Sequence, residues 1–445
     1  MPADLERATH TARTMGARNP FSFRVPHVDV RDRVMIGGVP EEQQGKMGEA
    51  TKVDLFEKCR SYTAADEARA RGIYPYFLEV ESATDTRSIV SGRKVIMVGS
   101  NNYLGLTTHP KVKEAAVKAI EKYGSGCTGS RFLNGNLDIH RILEERLAAF
   151  TKKEAVLVFS TGFQTNLGAI STLVGKGDVV FVDREDHASI MEATRMVWGK
   201  VVKFKHNDMA DFERLVQNNN DCAGRLVVVD GVYSVTGELC PVPELCDVAA
   251  KYDVKVMVDD AHGIGVLGRC GAGTCDHFGV GDRVDIIMGT FSKSFASLGG
   301  FLAGERVVIE YIRHNARALI FSAAMPPPAV AACLAALDIM QAEPERMERL
   351  MEITRRMKEG FEGLGFTVKP SGAAILAVLI GDMWQAILFW KELFDNGVYA
   401  NVFVPPGVAP GQSLIRTSYM ATHSDAEMDE VLGVFEKAGK KLGLI

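Results

Sequence analysis

Ile286-Ile287-Met288-Gly289-Thr290-Phe291-Ser292-Lys293-Ser294 is a short apolar run that ends among small hydroxyl residues and one lysine, and Leu298-Gly299-Gly300 follows it. Such a run, closed at once by a turn, reads as a fully buried strand. Runs of the same kind recur upstream at 155–159, 179–182, 226–229 and 255–258, and downstream at 300–303. Helical stretches lie between or after several of them, at 162–174, 243–251 and 305–317. Buried strands alternating with helices predict an α/β domain whose sheet is mostly parallel and covered on both faces.

Outward from this region the pattern changes in both directions. Towards the N-terminus, 66–71 predicts a short helix and 94–98 a strand running into the turn Gly99-Ser100-Asn101-Asn102-Tyr103. Residues 109–123 predict a helix with Pro110 in its first turn. Beyond about 327 a long helical region (329–364) leads to separated strands at 375–380, 398–404 and 414–417 and a terminal helix at 425–442. That layout predicts a second, smaller α+β domain. The expected organisation is an N-terminal arm over 1–50, extended or disordered; a segment over 51–95 packing on the small domain or on a partner; a large domain over 96–326; and a small C-terminal domain over 327–445.

The chain has 445 residues, 47% of them hydrophobic, and can bury a large core. A formal net charge of −5 with 24% charged residues argues against a nucleic-acid-binding surface. No stretch of about 18 apolar residues predicts a transmembrane helix, and the first twenty residues lack the apolar segment of a signal peptide. The expectation is a cytoplasmic protein, with room for peripheral association with a membrane. Its eight cysteines form no C-x-x-C pair. Cys270, Cys275 and His277 lie near one another in sequence, but reduced thiols are the ordinary state in such a compartment. No metal and no disulfide are predicted.

Six elements carry chemistry. Lys293 at a strand end is placed to be desolvated, which makes its amine a nucleophile towards an aldehyde, and Thr290 and Ser292 offer hydroxyls suited to one phosphate. In Val258-Asp259-Asp260-Ala261-His262-Gly263 a strand ends in two acids and a histidine. Strand alternation turns one acid to each side, and Asp259 is assigned to the ligand. An acid beside a pyridine nitrogen keeps it protonated, and His262 is placed to donate to a ring hydroxyl. Ser160-Thr161-Gly162-Phe163 passes from strand to helix, a phosphate-binding geometry. His187 follows another strand, where its ring can stack on a flat ligand or merely cap a helix. Ser234, in Asp230-Gly231-Val232-Tyr233-Ser234, follows a fourth strand. Arg416, in an apolar strand, wants a carboxylate, either a structural acid or an amino-acid substrate. Each element alone has an ordinary structural reading. Together, five of them fall at the C-terminal ends of parallel strands, where open α/β sheets bind ligands.

The order G-F at 162–163, D-H-A-S at 186–189, D-G-V-Y-S at 230–234, V-D-D-A-H at 258–262 and T-F-S-K at 290–293 resembles the fold-type I enzymes that use pyridoxal 5′-phosphate (PLP). With Gly124-Ser125-Gly126-Cys127-Thr128-Gly129-Ser130-Arg131, Asn134-Gly135 and His140, it resembles their α-oxoamine synthase family from about residue 75 to the C-terminus. T-F-S-K-S with S-L-G-G-F, and Asn401 followed by Pro405-Pro406, Gly411 and Arg416, are most similar to the bacterial serine palmitoyltransferases of that family. Asp260 and Gly263 depart from these, which often carry Glu and Ser there.

The resemblance implies a PLP-dependent acyltransferase and a homodimer, joining L-serine to a long-chain acyl-CoA such as palmitoyl-CoA. The products would be 3-ketosphinganine, CoA and CO2, the first step of sphingolipid synthesis. It implies Lys293 as the Schiff-base lysine, with His187 and Asp259 as its catalytic companions. Gly162, Phe163, Ser234, His262, Thr290, Ser292 and Ser322 would contact the cofactor, Ser322 within a stretch that reaches the neighbouring subunit. Arg416 and Asn102 would hold the amino acid. A related synthase using alanine, glycine or cysteate, or another acyl thioester, stays open, as does an aminotransferase.

Overall fold

The computed structural model describes residues 54–445, so the arm expected at 1–50 lies outside the described residues. The chain separates into a unit Met1–Ala64 and a unit Ala65–Ile445. In the first, the described part holds the helix Glu57–Arg60, with an exposed Arg60–Asp54 ion pair.

In the second unit the central sheet has seven strands, in the order Ala155–Phe159, Gly300–Gly304, Ile286–Thr290, Lys255–Asp259, Arg225–Asp230, Val179–Asp183 and Lys200–Phe204. From Ile286–Thr290 to Lys200–Phe204 every neighbour is parallel. Gly300–Gly304 runs antiparallel to the strands on both sides of it. The reason is chain length: a parallel return needs a crossover of about a dozen residues or more, and residues 291–299 only suffice to turn back. Lys200–Phe204 escaped the sequence reading because its two lysines break the apolar run. It is an edge strand, where lysines discourage pairing with another chain.

Alternation along the strands divides the core in two. Val227, Val229, Val256 and Val258 point into one layer, and Leu226, Val228 and Met257 into the other. Asp259 follows Met257 by two residues and shares its face, which the helix Gly162–Leu173 covers through Ala169 and Ile170.

Three boundaries differ from expectation. The helical region 329–364 is two helices, Pro327–Ala342 and Glu345–Gly363, broken where Pro344 supplies no N–H. The first of these places Val330, Cys333, Ala336, Leu337 and Met340 in the large-sheet core, so the domain boundary expected at 327 falls inside that core. The strand expected at 398–404 is two strands serving different sheets. Val398–Tyr399 joins Arg87–Val90 and Arg93–Met97, while Asn401–Phe403 edges a four-stranded antiparallel sheet with Ser413–Ser418, Ile375–Gly381 and Thr367–Val368. The switch falls at buried Ala400.

Candidate active site

The loop between Ile286–Thr290 and Gly300–Gly304 is tied to itself. Phe291 N–H donates to Gly299 O, Ser297 N–H to Phe291 O and Ala296 N–H to Lys293 O, all at 2.9 Å. Phe291 and Phe295, on either side of Lys293, are fully buried with ring centroids 5.1 Å apart. Burying each ring contributes roughly 1.5–3 kcal/mol, which anchors a loop that would otherwise be mobile. Gly289 must lack a side chain, since a Cβ there would lie 2.3 Å from the Phe301 ring. Lys293 is thereby held at the strand end, and burial lowers its amine to a pKa of about 8 against the opposing pull of Asp259 and Asp230.

Lys293 forms one wall of a cavity of about 270 Å³. Thr290, Ser292, Gly162 and Phe163 line it beside the lysine, and His187, Ser234, Asp259 and His262 complete it. The Thr290 and Ser292 hydroxyls are 3.0 Å apart. Thr161 caps the helix Gly162–Leu173 by accepting from Gln164 N–H at 3.1 Å. A Cβ on Gly162 would come within 2.8 Å of Thr290 Oγ1, so the helix start and the hydroxyls share one small space. A helix N-terminus with hydroxyls beside it suits a phosphate. Asp259 accepts from Asn166 Nδ2 at 2.6 Å and from Ala261 N–H at 3.0 Å. His262 Nδ1 lies 2.7 Å from the Tyr103 hydroxyl, and burial, with Lys293 and Arg416 nearby, pushes its pKa well below the usual range. An amine for an aldehyde, an acid for a pyridine nitrogen and an anion site for a phosphate fit PLP.

His187 takes the helix-cap role, capping the helix Ala188–Thr194 through Nδ1, and also faces the cavity. Its backbone N–H donates to Asp230 Oδ2 at 2.9 Å. Asp230, a further cavity residue, is raised well above the usual carboxyl range by burial and by Asp259. The sequence reading assigned no role to Asp230, Ser189 or Asn166. The available signal was weak, since Asn166 stands beside two other polar residues, Gln164 and Thr165, in the first turn and a half of its helix.

Three expected residues lie outside the cavity wall. Arg416 is 3% exposed, and its guanidinium donates to Ser234 O (2.7 Å), Asn101 Oδ1 (3.0 Å) and Ser418 Oγ (3.4 Å). All three are neutral acceptors, so its charge has no carboxylate partner among the described residues. Asn102 is not the neighbour of Arg416; Asn101 is. Asn102 instead closes its own turn, accepting from Leu106 N–H at 3.0 Å and donating to Thr107 Oγ1 at 2.8 Å. Ser322 Oγ accepts from Gln164 Nε2 at 2.9 Å, beside the helix start rather than in the wall.

Asp260 turns away from the cavity and accepts from Thr274 N–H (2.7 Å) and Oγ1 (2.5 Å). Burial raises its pKa to about 7. A Cβ on Gly263 would lie 1.9 Å from Asp260 Oδ1 and 2.3 Å from Thr274 Oγ1. Among the described residues no group of three or more His, Cys, Asp or Glu is arranged to hold a metal, and all eight cysteines are free.

The fold and this cavity define a PLP-dependent transferase of fold type I. The family model for aminotransferase class I and II matches residues 93–435, and the chain belongs to that family. Within it, the chain is 46% identical to the serine palmitoyltransferase of Sphingobacterium spiritivorum, over 86% of this chain and 96% of the relative. It is 41% identical to the 8-amino-7-oxononanoate synthase of Thermoanaerobacter pseudethanolicus, over 85% and 96%. A high-resolution structure of serine palmitoyltransferase with PLP superposes with a TM-score of 0.86 at 35% identity, covering 88% of this chain and all of that one.

Proposed function

We propose that this chain catalyses the decarboxylative condensation of L-serine with a long-chain acyl-CoA. The observation that carries the amino-acid half is Arg416, a buried guanidinium with only neutral acceptors, beside a lysine–aspartate–histidine cavity that fits PLP. The similarity to serine palmitoyltransferases supports the choice of serine and of the acyl donor.

Bound PLP supplies an electron sink for an amino-acid Cα–H bond. Asp259, fixed by Asn166 and Ala261, keeps the ring nitrogen protonated. Arg416 and Asn101 grip the serine carboxylate with charge-assisted hydrogen bonds. Lys293, with a pKa of about 8, is partly neutral near neutral pH and takes the Cα proton. Cα then bonds to the thioester carbonyl carbon, the C–S bond breaks and CoA leaves. The serine carboxylate departs as CO2, and a proton returned to Cα completes the 3-keto long-chain base.

Purified protein offered serine, alanine, glycine and cysteate with palmitoyl-CoA or the matching acyl carrier protein thioester should release CO2 and CoA fastest with serine and palmitoyl-CoA. Preference for another amino acid, or transamination without CoA release, overturns the reading. Because the base is the amine freed when serine displaces it, kcat should rise with pH below roughly 8 and level off above it.

The same reading makes the protein a symmetric homodimer of the cytoplasm at the entry to sphingolipid synthesis. Phe321 and Leu133, flanking the bridge between Ser130 and Ala323, are 78% and 74% exposed, an apolar surface suited to a second copy. No helix among the described residues is long and apolar enough to cross a membrane. A fully active monomer in sedimentation would contradict the dimer.

A further inference from the structure

His187 and Asp259 are joined through two side chains, Asn166 and Ser189, and the reaction above uses only the Asp259 half of that link. Asn166 stands one turn into the helix Gly162–Leu173 and is fully buried. Its Nδ2 lies 2.6 Å from Asp259 Oδ2 and 2.8 Å from Ser189 Oγ, so the two N–H bonds of one amide are spent on two acceptors. Its carbonyl oxygen is buried with no partner among the described residues. Turning the amide over would set that oxygen against a carboxylate oxygen, so Asp259 fixes the orientation.

The direction of every later bond follows. Ser189 Oγ accepts from Asn166 and keeps its own hydrogen to give, and His187 Nδ1 lies 2.8 Å away. The backbone N–H of Ser189 points at the same nitrogen from 3.2 Å. Two donors converge on Nδ1, which therefore presents a lone pair. A proton on Nδ1 would face the Ser189 N–H and strip the helix Ala188–Thr194 of its cap. Burial, with Lys293 nearby, depresses the His187 pKa against the pull of Asp259 and keeps the ring neutral. A neutral ring with a bare Nδ1 carries its hydrogen on Nε2.

We propose that Asn166 and Ser189 are positioning residues that lock His187 in the Nε2–H tautomer and tie it to Asp259, so that the ring offers the cavity a hydrogen-bond donor. The natural recipient is a carbonyl or carboxylate oxygen of a bound substrate. Only the identity of that recipient rests on the function proposed above; the tautomer is a property of the chain itself.

The test uses the full-length protein loaded with PLP, without substrate, its histidine rings labelled with 15N and the His187 signals assigned by their loss in His187→Gln. Nδ1 should report a bare nitrogen and Nε2 a protonated one. Asn166→Ala and Ser189→Ala should each give a tautomer mixture. Asn166→Ala should also shift the visible band of the bound cofactor, because Asp259 loses a donor. In both variants kcat should fall about tenfold, part of the roughly 10²-fold or more that a positioned proton donor contributes, with KM for serine changing less than about twofold. Ser189→Thr keeps the hydroxyl and should restore the single tautomer. Should Asn166→Ala fail to fold, the Ser189 pair reads the same tautomer. A protonated Nδ1 in the parent protein, or an unchanged tautomer in Ser189→Ala and in folded Asn166→Ala, overturns the proposal. Because the spectrum is taken without substrate, it stands or falls separately from the choice of serine.

Discussion

At one end of the cavity Lys293, Asp259, His187, Ser234 and Gly162 stand at or just beyond the C-terminal ends of strands of one sheet. Lys293 is held by its own loop, His187 by its own helix start, and Asp259 by the next residue but one and by Asn166 of the helix Gly162–Leu173. Outside the cavity wall, Arg416 comes from a different sheet, and its bonds run to Asn101, 315 residues away, and to Ser234 O, 182 residues away. The cofactor end is therefore built on one sheet and the helices that start from it, whereas the substrate end exists only when two sheets meet. Changes at the first should act on chemistry, and changes at the second on binding.

The largest effect should come from Lys293→Ala, which removes the visible band of lysine-bound cofactor and lowers kcat by roughly 10³-fold or more. A PLP-linked peptide mapped to any other lysine would break the comparison at its centre. Next, Asp259→Asn should retain PLP but lower kcat by about 10²-fold, while Asp260→Asn changes kcat less than about threefold. Asp260 should show itself in stability instead. Its folded pKa of about 7 lies above its ordinary 3.8, so its contribution is full below about pH 4 and lost as pH rises through 7. The fall in Tm over that window should flatten in Asp260→Asn; reversed activity effects would show that the facing of the two acids is misassigned.

At the substrate end the effects should be smaller and confined to affinity. Arg416→Ala should raise the dissociation constant for L-serine about tenfold or more, with the cofactor band unmoved, since each charge-assisted bond is worth roughly 1.5–3 kcal/mol. Unchanged serine affinity in a folded variant would remove Arg416 from the site. Smallest is the contrast between neighbours: Asn101→Ala should raise KM for serine roughly fivefold at unchanged Tm, and Asn102→Ala should lower Tm by a few degrees with KM nearly unchanged.

The same division explains what the sequence disclosed. Lys293 and Asp259 were legible because an apolar run marks a buried strand, its end marks the ligand edge, and alternation by two selects the facing acid. Neither cue reaches Asn101 and Asn102, which lie in a turn where alternation has no meaning; only the arrival of Arg416 separates them. Asn166 lay inside a helix one turn from the ligand edge, so its place beside Asp259 depends on how that helix packs on the sheet. Chain direction was likewise lost where both options are extended, as at Ala400 between two sheets, and at Gly300–Gly304, where only the length of the preceding loop reveals the reversal.

The space between Asp260 and Gly263 has a bearing on how such a chain can drift. Because a Cβ at 263 would fall 1.9 Å from the Asp260 carboxylate, the short acid and the missing side chain are one choice spread over two codons. A serine at 263 needs the carboxylate at 260 to move, so the two positions are sterically coupled. Gly263→Ser alone should therefore cost more stability than the same change made together with a substitution that removes the Asp260 carboxylate.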